Sequence, residues 1–158
     1  ELALVGKIKL VLITNGSLIG RQNVQRGLTH MAALGGEVWF KLDSATRAGI
    51  RRINGSEQTP AKALKNLERA AGLCPTWIQT CVFALDGQAP GPEERSAYLA
   101  LLEQALKLET PPRGVLLYGL ARPSMQPEAA RLSPLPQHWL DDFAADIRRL
   151  GLEVKASL

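Results

Sequence analysis

The sequence predicts an α/β fold of parallel βα repeats, in one domain covering residues 1–158. Three observations carry that expectation. Short aliphatic runs recur with starts roughly 30–40 residues apart, the spacing of right-handed βαβ crossovers. The segments between them place apolar residues at the i, i+3, i+4, i+7 period of a helix with one buried face. The runs themselves are nearly continuous in apolar character, which marks strands covered on both faces, as in parallel sheets.

Lys7 to Thr14 (KIKLVLIT) is the first strand, stopped by Asn15-Gly16-Ser17. Residues 21–34 follow as a helix with Val24, Leu28, Met31 and Leu34 on one stripe, ending at Gly35-Gly36, where glycine supplies the left-handed cap. Glu37 to Asp43 (EVWFKLD) is the second strand. A loop runs from it through Asn54-Gly55-Ser56 to a helix opened by Thr59 as cap and Pro60 in the first turn, and closed at Gly72. Trp77 to Ala84 (WIQTCVFA) is the third strand. The Gly/Pro loop Asp86–Pro92 leads into a helix striped by Tyr98, Leu101, Leu102, Ala105 and Leu106. Gly114 to Leu120 (GVLLYGL) is the fourth strand, followed by a long loop through Arg122-Pro123-Ser124. The last helix carries Leu140, Phe143, Ala144, Ile147 and Leu150, stops at Gly151, and gives way to a short fifth strand, Leu152 to Ala156. Such sheets are either open and doubly wound or curled toward a barrel, and this pattern does not choose between them.

Composition narrows the function classes. Nineteen Lys and Arg against fifteen Asp and Glu give +4, with 5% aromatic residues and no basic cluster interleaved with aromatics, so a dedicated nucleic-acid surface is not expected. No apolar run approaches the ~20 residues of a spanning helix, and neither a signal peptide nor membrane association is expected. Two cysteines, Cys74 and Cys81, are too few for a disulfide scaffold or a cysteine-only metal site, and cytoplasmic, reducing surroundings are expected. His30 and His138 fall on helices, away from any metal-ligand spacing. The chain opens at Glu1, and Leu2-Ala3-Leu4-Val5 reads like the tail of an element already under way, as in a piece of a longer protein.

In parallel α/β folds the chemistry sits at the carboxyl ends of the strands. There the sequence places Thr14-Asn15-Gly16-Ser17, then Lys41, Asp43 and Ser44, then Gln79 and Thr80, then Arg122 and Ser124. Lys41 and Asp43, two apart, point to the same side of their strand. An unpaired buried charge costs several kcal/mol, so these two must either pair or meet a ligand. As a pair they close the end of the sheet; as a site, Lys41 meets a carboxylate or phosphate and Asp43 accepts hydrogen bonds from sugar hydroxyls. Asn15-Gly16 is on its own an ordinary turn signal. Gln79 needs partners for its amide, in the core or from a ligand. Arg122 binds an anionic substrate group or ties down its loop.

Taken together and in order, Leu12-Ile13-Thr14-Asn15-Gly16-Ser17-Leu18, Phe40-Lys41-Leu42-Asp43-Ser44, Ile78-Gln79-Thr80 and Leu117-Tyr118-Gly119-Leu120-Ala121-Arg122-Pro123 resemble the radical SAM enzymes over essentially the whole chain. The resemblance implies the third strand onward of a partial TIM-type (β/α)6 barrel. It also implies S-adenosylmethionine and a 4Fe-4S cluster as cofactors, with an electron donor as partner. It assigns Asn15 and Ser17 to the strand end lining the site, Lys41 and Asp43 to the cofactor's carboxylate and ribose, Gln79 to the same cavity, and Arg122 to the substrate. The family's C-x-x-x-C-x-x-C cluster loop is absent, and Gly35-Gly36-Glu37 lies on the helix-to-strand side, where the family's glycine-glycine-glutamate turn does not. The cluster is therefore expected to be bound by a segment outside this chain, and these residues alone are not expected to cleave the cofactor.

Two other functions compete. An aldolase-like barrel would use Lys41 as a Schiff-base nucleophile with Asp43 as proton shuttle. A non-catalytic α/β module would keep the fold to bind a ligand without chemistry.

Overall fold

The computed structural model describes residues 8–120, 125 and 127–157. The chain runs β1 (Val11–Thr14), α1 (Gln22–Ala33), β2 (Glu37–Lys41), α2 (Arg47–Asn54), α3 (Pro60–Leu73), β3 (Thr76–Cys81), β4 (Ala84–Leu85), α4 (Pro92–Leu106), β5 (Gly114–Tyr118), a 3-10 turn (Pro127–Arg131), β6 (Leu132–Ser133), α5 (Gln137–Arg149) and β7 (Glu153–Ser157). Strands β1, β2, β3, β5 and β7 form one parallel sheet in that order.

A spatial order that follows the chain order settles what periodicity left open. A doubly wound sheet reverses direction at a switch point and puts helices on both faces. Here each crossover advances to the next position, and α1 packs on α3, α3 on α4, and α4 on α5, as one layer. Between that layer and the sheet lies the core. Val38, Phe40, Ile78, Val115 and Leu117 of the strands meet Leu28, Leu67, Leu102, Leu140 and Ile147 of the helices, all 3% exposed or less. The other face of the sheet carries the alternate residues, among them Trp39, Gln79, Leu116 and Tyr118, which stay partly accessible.

Most elements form where local chemistry asks for them. Thr59 Oγ1 accepts the Lys62 amide at 3.2 Å and Pro60 opens α3, the cap that an exposed helix start needs. Gly35 and Gly151 end α1 and α5 at φ +75° and +91°. His30 and His138 sit on α1 and α5 as expected.

Three departures matter. The first strand is not covered on both faces, since Leu12 and Ile13 are 39% and 54% exposed, and among the described residues β1 is an edge of the sheet. The segment after Asp43 is not simply a loop, because Thr46 caps α2 and Gly55, at φ +58°, ends it. Finally, the loops after β3 and β5 meet as a small antiparallel ribbon, β4 against β6. Arg131 locks it with a two-pronged ion pair to Asp86 at 2.7 and 2.9 Å. The expected Arg122 contact lies outside the described residues.

Candidate functional site

The carboxyl ends of β1, β2, β3 and β5 open into a cavity of about 700 Å³, within the roughly 300–1,000 Å³ of small-molecule sites. Helix α2 and the β4–β6 ribbon wall it on the outside.

Asp43 organises the inner end. Its Oδ2 receives Lys41 Nζ at 2.6 Å and Asn54 Nδ2 at 2.8 Å, and its Oδ1 accepts the Cys81 amide at 3.0 Å. The carboxylate side chain is 1% exposed, whereas that of Lys41 is 38% exposed. The ion pair foreseen as one outcome for these two residues is therefore formed, and one member of it still faces the cavity. An ammonium has three donors, so Lys41 keeps capacity for an anionic or hydroxyl ligand, while Asp43 has three of its roughly four acceptor sites used within the protein and its side chain is 1% exposed.

Asn15 lines the cavity and uses its Oδ1 to accept the Ser17 amide at 3.0 Å, an Asx turn at the end of β1. Ser17 itself is exposed and does not line the cavity. Gln79 stands beside Lys41 in register, so its side chain leaves the same face of the sheet, but it does not line the cavity. The structure thus brings Asn15, Lys41 and Asp43 together in the wall and leaves Ser17 and Gln79 out of the lining.

Several wall residues were not singled out in the sequence. Asn54, Arg51 and Arg52 arrive on α2, Tyr118 on the end of β5, and Arg131 on the 3-10 turn. Cys81 also lines the wall, with its thiol pushed up to about 11, first by burial and then by the charge of Asp43. Tyr118, its neighbour in register, has its phenol shifted upward by burial as well. Both therefore stand protonated near neutral pH.

No protein-family model matches the sequence, and no curated protein matches it. Among solved structures, the chain is similar to a domain of pyruvate-formate lyase-activating enzyme from Bacteroides vulgatus ATCC 8482, with TM-score 0.65 at 13% identity, covering 97% of this chain and 83% of that one. It is also similar to a radical SAM methyltransferase from Sphaerobacter thermophilus, with TM-score 0.58 at 12% identity, covering 93% of this chain and 39% of that one. The fold is that of a radical SAM partial barrel. At this level of identity the likeness establishes architecture, and the roles of individual residues rest on the cavity itself.

The residues present do not fit an iron-sulfur cluster. The chain has two cysteines. Cys74 is buried just before β3, with its thiol on the Gly36 carbonyl, while Cys81 ends β3 at the cavity. Seven residue steps of extended chain separate them by roughly 23 Å. Among the described residues, no group of three or more His, Cys, Asp or Glu is placed to hold a metal ion, and no helix is long and apolar enough to cross a membrane.

The cavity lining combines polar side chains, among them Lys41, Asn15 and Asn54, with apolar ones, among them Ile53 and Phe83, a mixture compatible with a ligand such as S-adenosylmethionine that has a charged end and a flat base.

Proposed function

We propose that this chain forms the S-adenosylmethionine-binding wall of a radical SAM enzyme. The observation that carries this is the convergence of Lys41, Asp43 and Asn15 on one cavity at the carboxyl ends of a parallel, sequentially wound sheet. Lys41 holds the cofactor's carboxylate or ribose, and Asp43 contributes at the same place, chiefly by fixing Lys41 and Asn54. Asn15 and Ser17 shape the β1 end, Gln79 supports Lys41 from the neighbouring strand, and Arg122 serves the substrate. In a radical SAM enzyme a 4Fe-4S cluster would supply the electron that cleaves S-adenosylmethionine; its cysteine ligands and the electron donor would have to come from outside these 158 residues, and the part of this chain would be to bind and orient the cofactor.

Direct binding tests the reading. Titration calorimetry with S-adenosylmethionine and with S-adenosylhomocysteine is expected to give saturable binding that Lys41→Ala weakens about tenfold or more, the scale of losing one charge-assisted contact. A folded protein that binds neither compound, or binding indifferent to both Lys41→Ala and Asp43→Ala, overturns it.

A further inference from the structure

Helix α2 forms the outer wall of the cavity, yet it has only eight residues, too few to hold a helix by propensity alone. Something must seat it.

Glu94, in the first turn of α4, does so from outside the cavity. Its Oε1 accepts from the Ser44 hydroxyl and from the Ala45 amide at 3.2 Å, and its Oε2 accepts from the Thr46 hydroxyl at 2.6 Å. Thr46 Oγ1 in turn caps α2 by accepting the Gly49 amide at 2.9 Å. Gly49 completes the seat: a Cβ there would stand 2.7 Å from Glu94 Oε2 and collide with the Ser44 hydroxyl, so the helix approaches the carboxylate as closely as a missing side chain allows. At its other end α2 delivers Asn54 to Asp43, which holds Lys41 and the Cys81 amide. One carboxylate on α4 is thereby linked, through α2, to the ligand-facing ammonium on β2.

We propose that Glu94 is a positioning residue for this cavity. It does not line the cavity itself, and it sets the geometry of Lys41 and Asn54 by fixing where α2 begins. The inference rests on the cavity being a ligand site, and its test separates the two claims.

Cys81 is a built-in reporter, because it lines the cavity that α2 walls, whereas Cys74 is buried on the far end of β3. Native-state alkylation with iodoacetamide, read residue by residue by mass spectrometry, is expected to label Cys81 at least tenfold faster in Glu94→Ala than in wild type, with Cys74 unchanged. Glu94→Gln, which keeps one carbonyl acceptor, is expected to stay within about threefold of wild type. Gly49→Ala, which pushes α2 off the same seat, is expected to behave like Glu94→Ala. In parallel, S-adenosylmethionine affinity is expected to fall about tenfold in Glu94→Ala and to recover in Glu94→Gln. The proposal is overturned if Cys81 labelling in folded Glu94→Ala matches wild type, or if Cys74 accelerates equally, which would mean general loosening. Should Glu94→Ala not fold, Thr46→Val removes one of its contacts and must show the same Cys81-selective increase. If wild type binds no S-adenosylmethionine, the cofactor reading fails, and the labelling comparison still decides the role of Glu94.

Discussion

Lys41 and Asp43 sit two residues apart at the end of β2, joined at 2.6 Å, but their exposures differ sharply, 38% for the lysine side chain and 1% for the carboxylate. The asymmetry assigns them different work. Asp43 is an internal hub that receives a side-chain cation, a side-chain amide and a backbone amide; Lys41 is the part of the pair that a ligand can reach.

Removing either member is costly, for different reasons. Asp43→Ala strands the Cys81 amide and the partly solvated Lys41 ammonium and is expected to destabilise the fold by about 2–4 kcal/mol. Lys41→Ala leaves a 1%-exposed carboxylate without its cation and is expected to cost a comparable amount, about 2–4 kcal/mol. Adding Asp43→Asn to Lys41→Ala removes the stranded charge and is expected to recover part of that loss in urea unfolding; no recovery contradicts the buried charge as its cause.

The Cys81 thiol supplies a pH signature. With its folded value pushed up to about 11, only about one molecule in a thousand carries the thiolate at pH 8, and the thiolate is the reactive form. The alkylation rate is expected to climb about tenfold per pH unit and level off near pH 11, and Asp43→Asn is expected to shift that curve to lower pH by removing the neighbouring charge. For stability the sign is the opposite of the usual carboxylate case. The folded state holds the thiol proton more tightly than the unfolded chain, so its contribution is complete below about pH 9 and is lost as the pH rises toward 11. Unfolding midpoints measured across pH 8 to 11, wild type against Cys81→Ala, read that loss; identical slopes refute it.

Two glycines with positive φ separate backbone strain from crowding. Gly16 (φ +71°) lies at the Asn15 turn, and a Cβ there would stand 2.6 Å from the Phe40 ring, whereas Gly55 (φ +58°), ending α2, has nothing within 4 Å. Gly55→Ala is expected to cost about 1 kcal/mol, the left-handed term alone. Gly16→Ala adds overpacking against a buried ring and is expected to cost about 2–5 kcal/mol. Thermal melts of the two variants test the difference, and equal losses would show that the Phe40 contact relaxes freely.

Chemistry at Lys41 distinguishes the aldolase-like alternative. A Schiff-base lysine is trapped irreversibly by borohydride in the presence of an aldehyde or ketone substrate. No adduct at Lys41 is expected with pyruvate or dihydroxyacetone phosphate, by intact-mass and peptide mapping. A stoichiometric adduct at that residue would displace the cofactor-binding proposal.

The repeating architecture was legible because its causes are local. Thr59 and Pro60 start α3 through their own hydroxyl and ring, Gly35 and Gly151 stop helices through their own φ, and the apolar period of Tyr98, Leu101, Leu102 and Ala105 states which face of α4 is buried. That Lys41 and Asp43 share a face was legible for the same reason, since side chains two apart along an extended strand point the same way; that they pair with each other was one of two outcomes left open. Helix α2 was harder to read, being eight residues long with three arginines and one short apolar pair, Ile50 and Ile53.

What no local pattern carried is where distant pieces meet. Sheet order decided that the repeats wind in one direction and, among the described residues, leave β1 as an exposed edge, although its apolar run reads like that of a central strand. Glu94 reaches Ser44 and Thr46 across about fifty residues of chain, Asn54 reaches Asp43 from a helix hidden in an apparent loop, and Arg131 locks Asp86 from the far ribbon. Periodicity and capping arise from each residue's neighbours along the chain, so they are written in the sequence; these contacts arise only when packing brings separate segments within hydrogen-bonding distance, so the folded chain alone selects them.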